Sequence, residues 1–351
     1  MKEIIILTSN ITIKNKTNIF ILNLIDLLYK KGLKITLYSN KFPKIFYGYI
    51  AKKHLSLKLT NIKEIVMQSK NAYAIIAIDY PMNIIAYKIK NMFNKMRIKS
   101  PLIIWYSINF QKHIYKNNNN KKLKEDYQSI SNIDIVLCAN ERTKDMLEYI
   151  YNNNIKLIEI VRPYYSPYIS NNNKNIKEKN YILTFFNAEN SIYKCTSIYC
   201  EYINNSIKNN KNIYKLIIVG YNKYLEDNIN KLNIRDYVEL ADYDFNIEEI
   251  ISNAYTILIH NIDDPFYTEL ISAWDNKIVP IIDSKTSSAE ISIDNKNALI
   301  YSSQNPISLY NKLTTLIENK KLYNNLSSSI ENIPSIEDTA NQILEIITKK
   351  L

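Results

Sequence analysis

Twice along this chain, short apolar runs rich in β-branched residues alternate with stretches of helical spacing, and no other feature restricts the fold as much. Strands that alternate with helices pair in parallel, because a parallel connection needs a crossover of a dozen or more residues. In the first series, strands are expected at residues 3 to 9 (EIIILTS) and 33 to 39 (LKITLYS). Four more are expected to end at Asp79, Ser107, Ala139 and Val161. Residues 17 to 31 have helical spacing, and Gly32 stands where a helix would end on a glycine. The Asn/Lys-rich stretch Asn117 to Lys122 reads as an exposed loop. A second series gives strands at 181 to 186, 215 to 220, 237 to 241, 256 to 260, 278 to 282 and 298 to 302.

Between the two series, Pro167 and a run of Asn and Lys break all apolar periodicity. The expected organisation is α/β throughout: two Rossmann-like, doubly wound parallel-sheet domains at 1–167 and 181–335, joined by a linker at 168–180. Residues 336–351 form a single apolar helical stripe, a C-terminal helix placed to pack back on the N-terminal domain. Open parallel sheets bind ligands just beyond the carboxyl ends of their strands, so two such domains imply a crevice between those ends.

Length and composition bound the function classes. At 351 residues the chain has room for about two ordinary domains. A mean hydropathy of −0.25, with no apolar run near the roughly 18 residues a membrane helix needs, argues against a spanning protein. The first residues read as a strand rather than a cleaved leader, so a cytoplasmic location is expected. Cys138, Cys195 and Cys200 are too few and too irregularly spaced for a disulfide framework or a zinc site. Only Gly32, Gly48 and Gly220 are glycines, so a loop that must approach phosphate closely has to be built from other residues.

Charge is uneven. Residues 1 to 167 hold 27 Lys and Arg against 11 Asp and Glu, whereas residues 168 to 351 hold 18 against 23. Lysine-rich codon usage would act on both halves, so it does not account for an acidic second half. A basic first half attracts phosphate, on nucleic acid, an anionic membrane or a phosphorylated substrate. Within it, Ile84 to Lys99 carries Lys88, Lys90, Lys95, Arg97 and Lys99 with no acid, beside an apolar stripe of Ile85, Ile89, Met92, Phe93 and Met96. Two readings fit: an interfacial helix on an anionic surface, or a packed helix with a lysine-rich outer face.

Particular residues carry a resemblance. Ala254 to Ile282 is similar to the second-domain signature of the GT-B glycosyltransferases, above all the large retaining family that uses nucleotide sugars. Asp264, Pro265 and Phe266 match its acidic-Pro-Phe triplet, Leu270 and Ile271 its following apolar pair, Ala273 its alanine, and Pro280 to Ile282 its closing Pro-Val-Ile. Ile133 to Leu147, Leu157 to Pro167, Tyr181 to Cys195 and Lys215 to Gly220 follow the family's order. The family's two spaced acids fall on Asp264 and Ser272, with Glu269 nearby; its arginine falls on Ala188, and the lysine that follows it on Lys194, next to Cys195.

The resemblance implies sugar transfer from a UDP- or GDP-linked donor to a polysaccharide, glycolipid or glycoprotein acceptor. It implies a nucleotide-sugar co-substrate and no further cofactor. The adjacent Asp263 and Asp264 are not an Asp-x-Asp metal signature, so no metal is expected. Lys194 and a helix starting near Thr268 would meet the diphosphate, with Thr268, Ser272, His260 and Gly220 as further donor-site candidates. Asp264 and Glu269 would bond ribose or sugar hydroxyls, although Asp264 is equally suited to capping the helix that follows. His113 and Asp79 are candidates for an acceptor base if the reaction inverts, and His54 has no assigned role. Lipid-linked acceptors would suit attachment at the inner membrane face. A DNA-modifying glucosyltransferase of phage type, with DNA as partner, and a degenerate binding or scaffold protein are the alternatives.

Overall fold

A computed structural model describes residues 3–11, 15–41, 55–58, 62–109, 120–152, 154–167, 180–186, 191–242, 247–262 and 264–350. The chain forms two compact units, Met1–Tyr164 together with Ser335–Leu351, and Tyr165–Pro334.

In the first unit, β1 (Glu3–Asn10) leads through α1 (Lys16–Lys30) to β2 (Lys34–Lys41) and β3 (Leu55–Lys58). Then follow α2 (Ile62–Gln68), β4 (Ala74–Ile78), α3 (Met82–Lys95), β5 (Leu102–Ser107), α4 (Asn120–Ile130), β6 (Ile135–Cys138), α5 (Glu141–Tyr151) and β7 (Ile158–Ile160). All pair in parallel, in the order β3-β2-β1-β4-β5-β6-β7. Every residue of β4 (AIIAI) and β6 (IVLC) is buried, as expected of strands covered on both faces by crossover helices. Asn120 to Lys122, read from sequence as loop, open α4 instead; Asn117 to Asn119 lie outside the described residues. The short edge strand β3 has no counterpart in the sequence reading.

Gly32 ends α1. Its φ is +86°, its N–H donates to the Tyr29 carbonyl at 2.9 Å, and the Leu33 N–H donates to that of Leu28 at 3.3 Å. These are the paired bonds of a Schellman cap.

The second unit runs β8 (Tyr181–Phe185), α6 (Ser191–Lys208), β9 (Lys215–Val219), α7 (Lys223–Lys231), β10 (Val238–Ala241), α8 (Ile247–Ser252), β11 (Ala254–Ile259), α9 (Thr268–Asp275), β12 (Val279–Asp283), α10 (Ser287–Ile291) and β13 (Leu299–Tyr301). Helices α11 (Pro306–Glu318) and α12 (Lys320–Ser328) complete it. Its parallel sheet has the order β10-β9-β8-β11-β12-β13. The final helix, α13 (Ile336–Lys350), belongs to the first unit. It packs on α1; Lys31 pairs with Glu337 at 3.1 Å, and Thr339 donates its hydroxyl to the Arg162 carbonyl at 2.7 Å.

Each sheet reverses strand order once, at β1/β4 and at β8/β11. At such a reversal the two flanking connections leave in opposite directions and open a cleft beyond the strand ends, so these are the places to look for ligand chemistry.

Candidate functional site

In the second unit the β8/β11 reversal brings together residues that are far apart in sequence. His260 follows β11 directly and is 2% exposed. Its Nδ1 lies 3.2 Å from Thr184 Oγ1 on β8 and 3.9 Å from Cys195 Sγ on α6. Thr184 donates its hydroxyl to the Leu258 carbonyl at 3.0 Å. Burial lowers the His260 pKa to about 4, so the ring is neutral at physiological pH. Beyond it, burial and hydrogen bonds to Cys195 and Asp283 push the Tyr301 phenol up. Gly220 closes β9 with a φ of +75° and donates to the Ala241 carbonyl at 2.7 Å.

Helix α9 begins at the same carboxyl edge. Asp264, nine-tenths buried, accepts from the Phe266 N–H at 3.1 Å on Oδ1 and from the Thr268 N–H at 2.7 Å on Oδ2. It is therefore a capping residue for α9, satisfying a first-turn donor that the helix itself cannot. Glu269 follows in the first turn and is buried, where a carboxylate is favoured by the helix dipole. Ser272, at the position of the family's second acid, lies one turn further on. Its hydroxyl donates to the Thr268 carbonyl at 2.7 Å, and its oxygen lies 2.7 Å from Ser166 Oγ. The structure thus places Thr268, Glu269 and Ser272 on one short helix with Asp264 as its cap. Lys194 lies in the first turn of α6.

In the first unit the β1/β4 reversal holds Asp79, which follows β4 with a φ of +57°. Its Oδ1 accepts from the backbone N–H groups of Ile108 and Asn109, each at 2.8 Å, and its Oδ2 from Asn109 Nδ2 at 2.8 Å. Asn109 Nδ2 also donates to Thr17 Oγ1 at 2.9 Å, which ties the end of β5 to the start of α1. Although part of the residue keeps solvent contact, protein surrounds the carboxylate. Desolvation outweighs these donors and raises its pKa to about 6. Sequence reasoning missed Asn109 and Thr17, because polar residues at strand and helix ends give no signal until the topology joins them. His113 and His54, and Ala188 in the place of the family's arginine, lie outside the described residues.

The basic helix needs a correction. Ile89 and Phe93 are fully buried and belong to the core of the first unit, with Ile85 and Met92 packed partly against it. Only Met96 of the apolar stripe is exposed. The stripe therefore packs inward rather than standing free for a membrane. Lys88, Lys95, Arg97 and Lys99 are exposed, and Lys90 pairs with Asp134. No helix among the described residues is long and apolar enough to cross a membrane.

Two Rossmann-like parallel-sheet units in tandem, the second returning its last helix to the first, define the class: this is the GT-B glycosyltransferase fold. Among solved structures it is similar to a glycosyltransferase from Rickettsia africae ESF-5 (TM-score 0.73, 13% identity, covering 99% of this chain and 98% of that one). It is also similar to Anabaena HepE in complex with UDP (TM-score 0.73, 12% identity, 99% and 100% covered). A third likeness is to the lipopolysaccharide outer core galactosyltransferase WaaB in its apo form (TM-score 0.72, 13% identity, 99% of each chain). Residues 171–332 match the family model for glycosyl transferases group 1, and fold and match together are consistent with a divergent GT-B glycosyltransferase. No curated protein matches the chain by sequence.

Proposed function

We propose that the chain transfers a sugar from a UDP- or GDP-linked donor to a polysaccharide, glycolipid or glycoprotein acceptor. The observation that carries this is the group 1 match over 171–332, a segment whose described part places the α9 N-terminus and the buried Thr268 and Glu269 at the carboxyl edge of the sheet. The leaving diphosphate develops negative charge, which a helix N-terminus and a lysine such as Lys194 stabilise without a metal. UDP and UDP-glucose are the first ligands to try, because Anabaena HepE, of the same fold, has been described in complex with each. In the first unit, Asp79 stands at the reversal of strand order and would serve as acceptor base if the reaction inverts, provided the acceptor displaces one of the donors that now hold its carboxylate. The exposed Lys88, Lys95, Arg97 and Lys99 would hold the protein at an anionic lipid surface by charge alone.

Release of free nucleoside diphosphate across a panel of nucleotide sugars tests the reading; folded protein that releases none, with anionic oligosaccharide and lipid acceptors supplied, overturns it. Flotation with anionic vesicles beside a duplex DNA shift assay over a salt series tests the basic face, and binding to DNA alone would favour the DNA-modifying alternative. A second reading has its own observation. Ser272 stands in place of the family's second acid and is hydrogen-bonded within the protein, and Asp264 caps α9, which suits a protein that binds nucleotide sugar without turning it over. Calorimetric binding without diphosphate release would select it.

A further inference from the structure

We infer that His260 Nε2 accepts a hydrogen bond from a hydroxyl group of the nucleotide sugar and so positions the donor. The inference rests on the reading of the second unit as a nucleotide-sugar site and names the contact that His260 makes there. Three observations lead to it: the place of the residue, the partners of Nδ1, and the state of Nε2.

His260 directly follows the central strand β11 at the reversal of strand order, where a ligand cleft opens beyond the strand ends. Its Nδ1 faces a group that requires a donor. Thr184 has one hydroxyl proton and gives it to the Leu258 carbonyl at 3.0 Å, so its oxygen presents a lone pair to Nδ1 at 3.2 Å. Nδ1 therefore carries the ring proton, and in a neutral imidazole the other nitrogen is then an acceptor. That nitrogen, Nε2, is buried and has no hydrogen-bond partner among the described residues. A buried acceptor without a donor is costly, and folded proteins keep such an arrangement where a ligand or bound water completes it.

The tautomer decides the ligand chemistry. A lone pair repels phosphate oxygens and attracts O–H, so the partner is a hydroxyl, on the ribose or on the transferred sugar. The neighbouring Cys195 thiol, 3.9 Å from Nδ1, lies on the same side of the ring as Thr184 and makes no hydrogen bond to Nε2.

The test uses the whole chain with UDP, 2′-deoxy-UDP and UDP-glucose in calorimetry, for the wild type, His260→Phe and His260→Gln. Glutamine carries an amide oxygen close to the position of Nε2, so it keeps an acceptor and controls for loss of fold, which thermal melts check in parallel. If a sugar hydroxyl is the partner, His260→Phe weakens UDP-glucose by about five- to tenfold and leaves UDP unchanged. If the ribose 2′-hydroxyl is the partner, UDP and UDP-glucose weaken together and 2′-deoxy-UDP does not. In both cases His260→Gln recovers most of the affinity. Histidine-selective nitrogen NMR supplies a second readout: free protein shows His260 with the proton on Nδ1, and the Nε2 resonance moves when the ligand binds. Equal loss for every ligand that His260→Gln does not restore, unchanged affinity for all, or a proton on Nε2 in the free protein overturns the inference. The last two are what an internal water bound to Nε2, or the opposite tautomer, would give. Wild-type protein that binds none of the three ligands overturns the donor-site reading, and this inference falls with it.

Discussion

Asp79→Asn should stabilise the first unit at neutral and alkaline pH and weaken it at acid pH, with the crossover at about pH 4.5. The carboxylate has three N–H donors, yet desolvation wins and lifts its pKa from 3.8 to about 6. That difference of about two units corresponds to about 3 kcal/mol by which the folded unit disfavours the ionised form. Between the two values the native state holds a proton that the unfolded chain has released, so stability falls as pH rises through this window and levels off above it. Asparagine is neutral at every pH, tolerates the φ of +57°, and keeps an oxygen for the Ile108 and Asn109 backbone groups. It also sets one amide nitrogen against Asn109 Nδ2 and so loses one bond, about 1 kcal/mol. The variant should therefore be about 2 kcal/mol more stable than the wild type at pH 8 and about 0.5 kcal/mol less stable at pH 4. The tryptophans make the assay clean, since Trp105 lies in the first unit and Trp274 in the second. In a Trp274→Phe background, urea unfolding read by Trp105 fluorescence reports the first unit alone. A stability difference that does not change between pH 4 and pH 8 would refute the argument, because all other titrations are common to both proteins and cancel.

Other substitutions test the remaining structure. Asp264→Ala should cost about 1–2 kcal/mol by uncapping α9, while Asp264→Asn keeps most of the cap; if Asn also keeps UDP-glucose affinity, the carboxylate has no separate role in binding. Phe93→Ala should destabilise the first unit by about 3–5 kcal/mol in the same Trp105 assay, and a surface-like cost below about 1 kcal/mol would return Phe93 to the membrane reading. Lys194→Ala should weaken UDP binding by about 1.5–3 kcal/mol in calorimetry, as expected for loss of a charge-assisted bond. Gly32→Ala should cost about 1 kcal/mol in chemical denaturation, from the +86° φ alone, since an added Cβ meets nothing within 4 Å.

The strands were legible because a sheet covered on both faces needs unbroken apolar runs, and runs such as AIIAI and KLIIV cannot be mistaken for an exposed helix. The edge strand β3 was not, since LSLK lacks the apolar length that burial on two faces demands. Helix α3 shows the limit of periodicity: Ile85, Ile89, Met92 and Phe93 give one stripe whether the helix packs on a sheet or lies on lipid. Only the topology decides, by placing β4 and β5 against that stripe. The candidate site was legible as a pattern around Asp264 to Ala273, where the family's residues survive, and illegible where it depends on proton placement. Nothing in a sequence tells which nitrogen of His260 carries hydrogen; that required Thr184, 76 positions away, to face it across two strands.

The scarcity of glycine is solved locally, and the exceptions mark the sites. Nine non-glycine residues among those described have positive φ. Asn210, Asn233, Arg97 and Lys277 each stand just past a helix, where the next residue's N–H reaches back five positions, as Lys211 does to Ser206 at 2.9 Å and Ile278 to Ala273 at 2.9 Å. These are Schellman caps built without glycine, and asparagine, abundant in this chain, bears the left-handed conformation at the least cost after glycine. Asn152 ends α5 in the same region of φ, Asn295 lies in a turn and Asn332 in a bend. Two residues have no such explanation. Asp79 follows β4 at the reversal of the first sheet, and Tyr267, fully buried, precedes α9 at the carboxyl edge of the second. A bulky aromatic in the left-handed region is strained by roughly 1–2 kcal/mol, and the surrounding structure must hold it there. The seven others lie at helix ends or in irregular connections, whereas Asp79 turns the chain directly after β4 and Tyr267 turns it into α9, each beyond the carboxyl edge of its sheet.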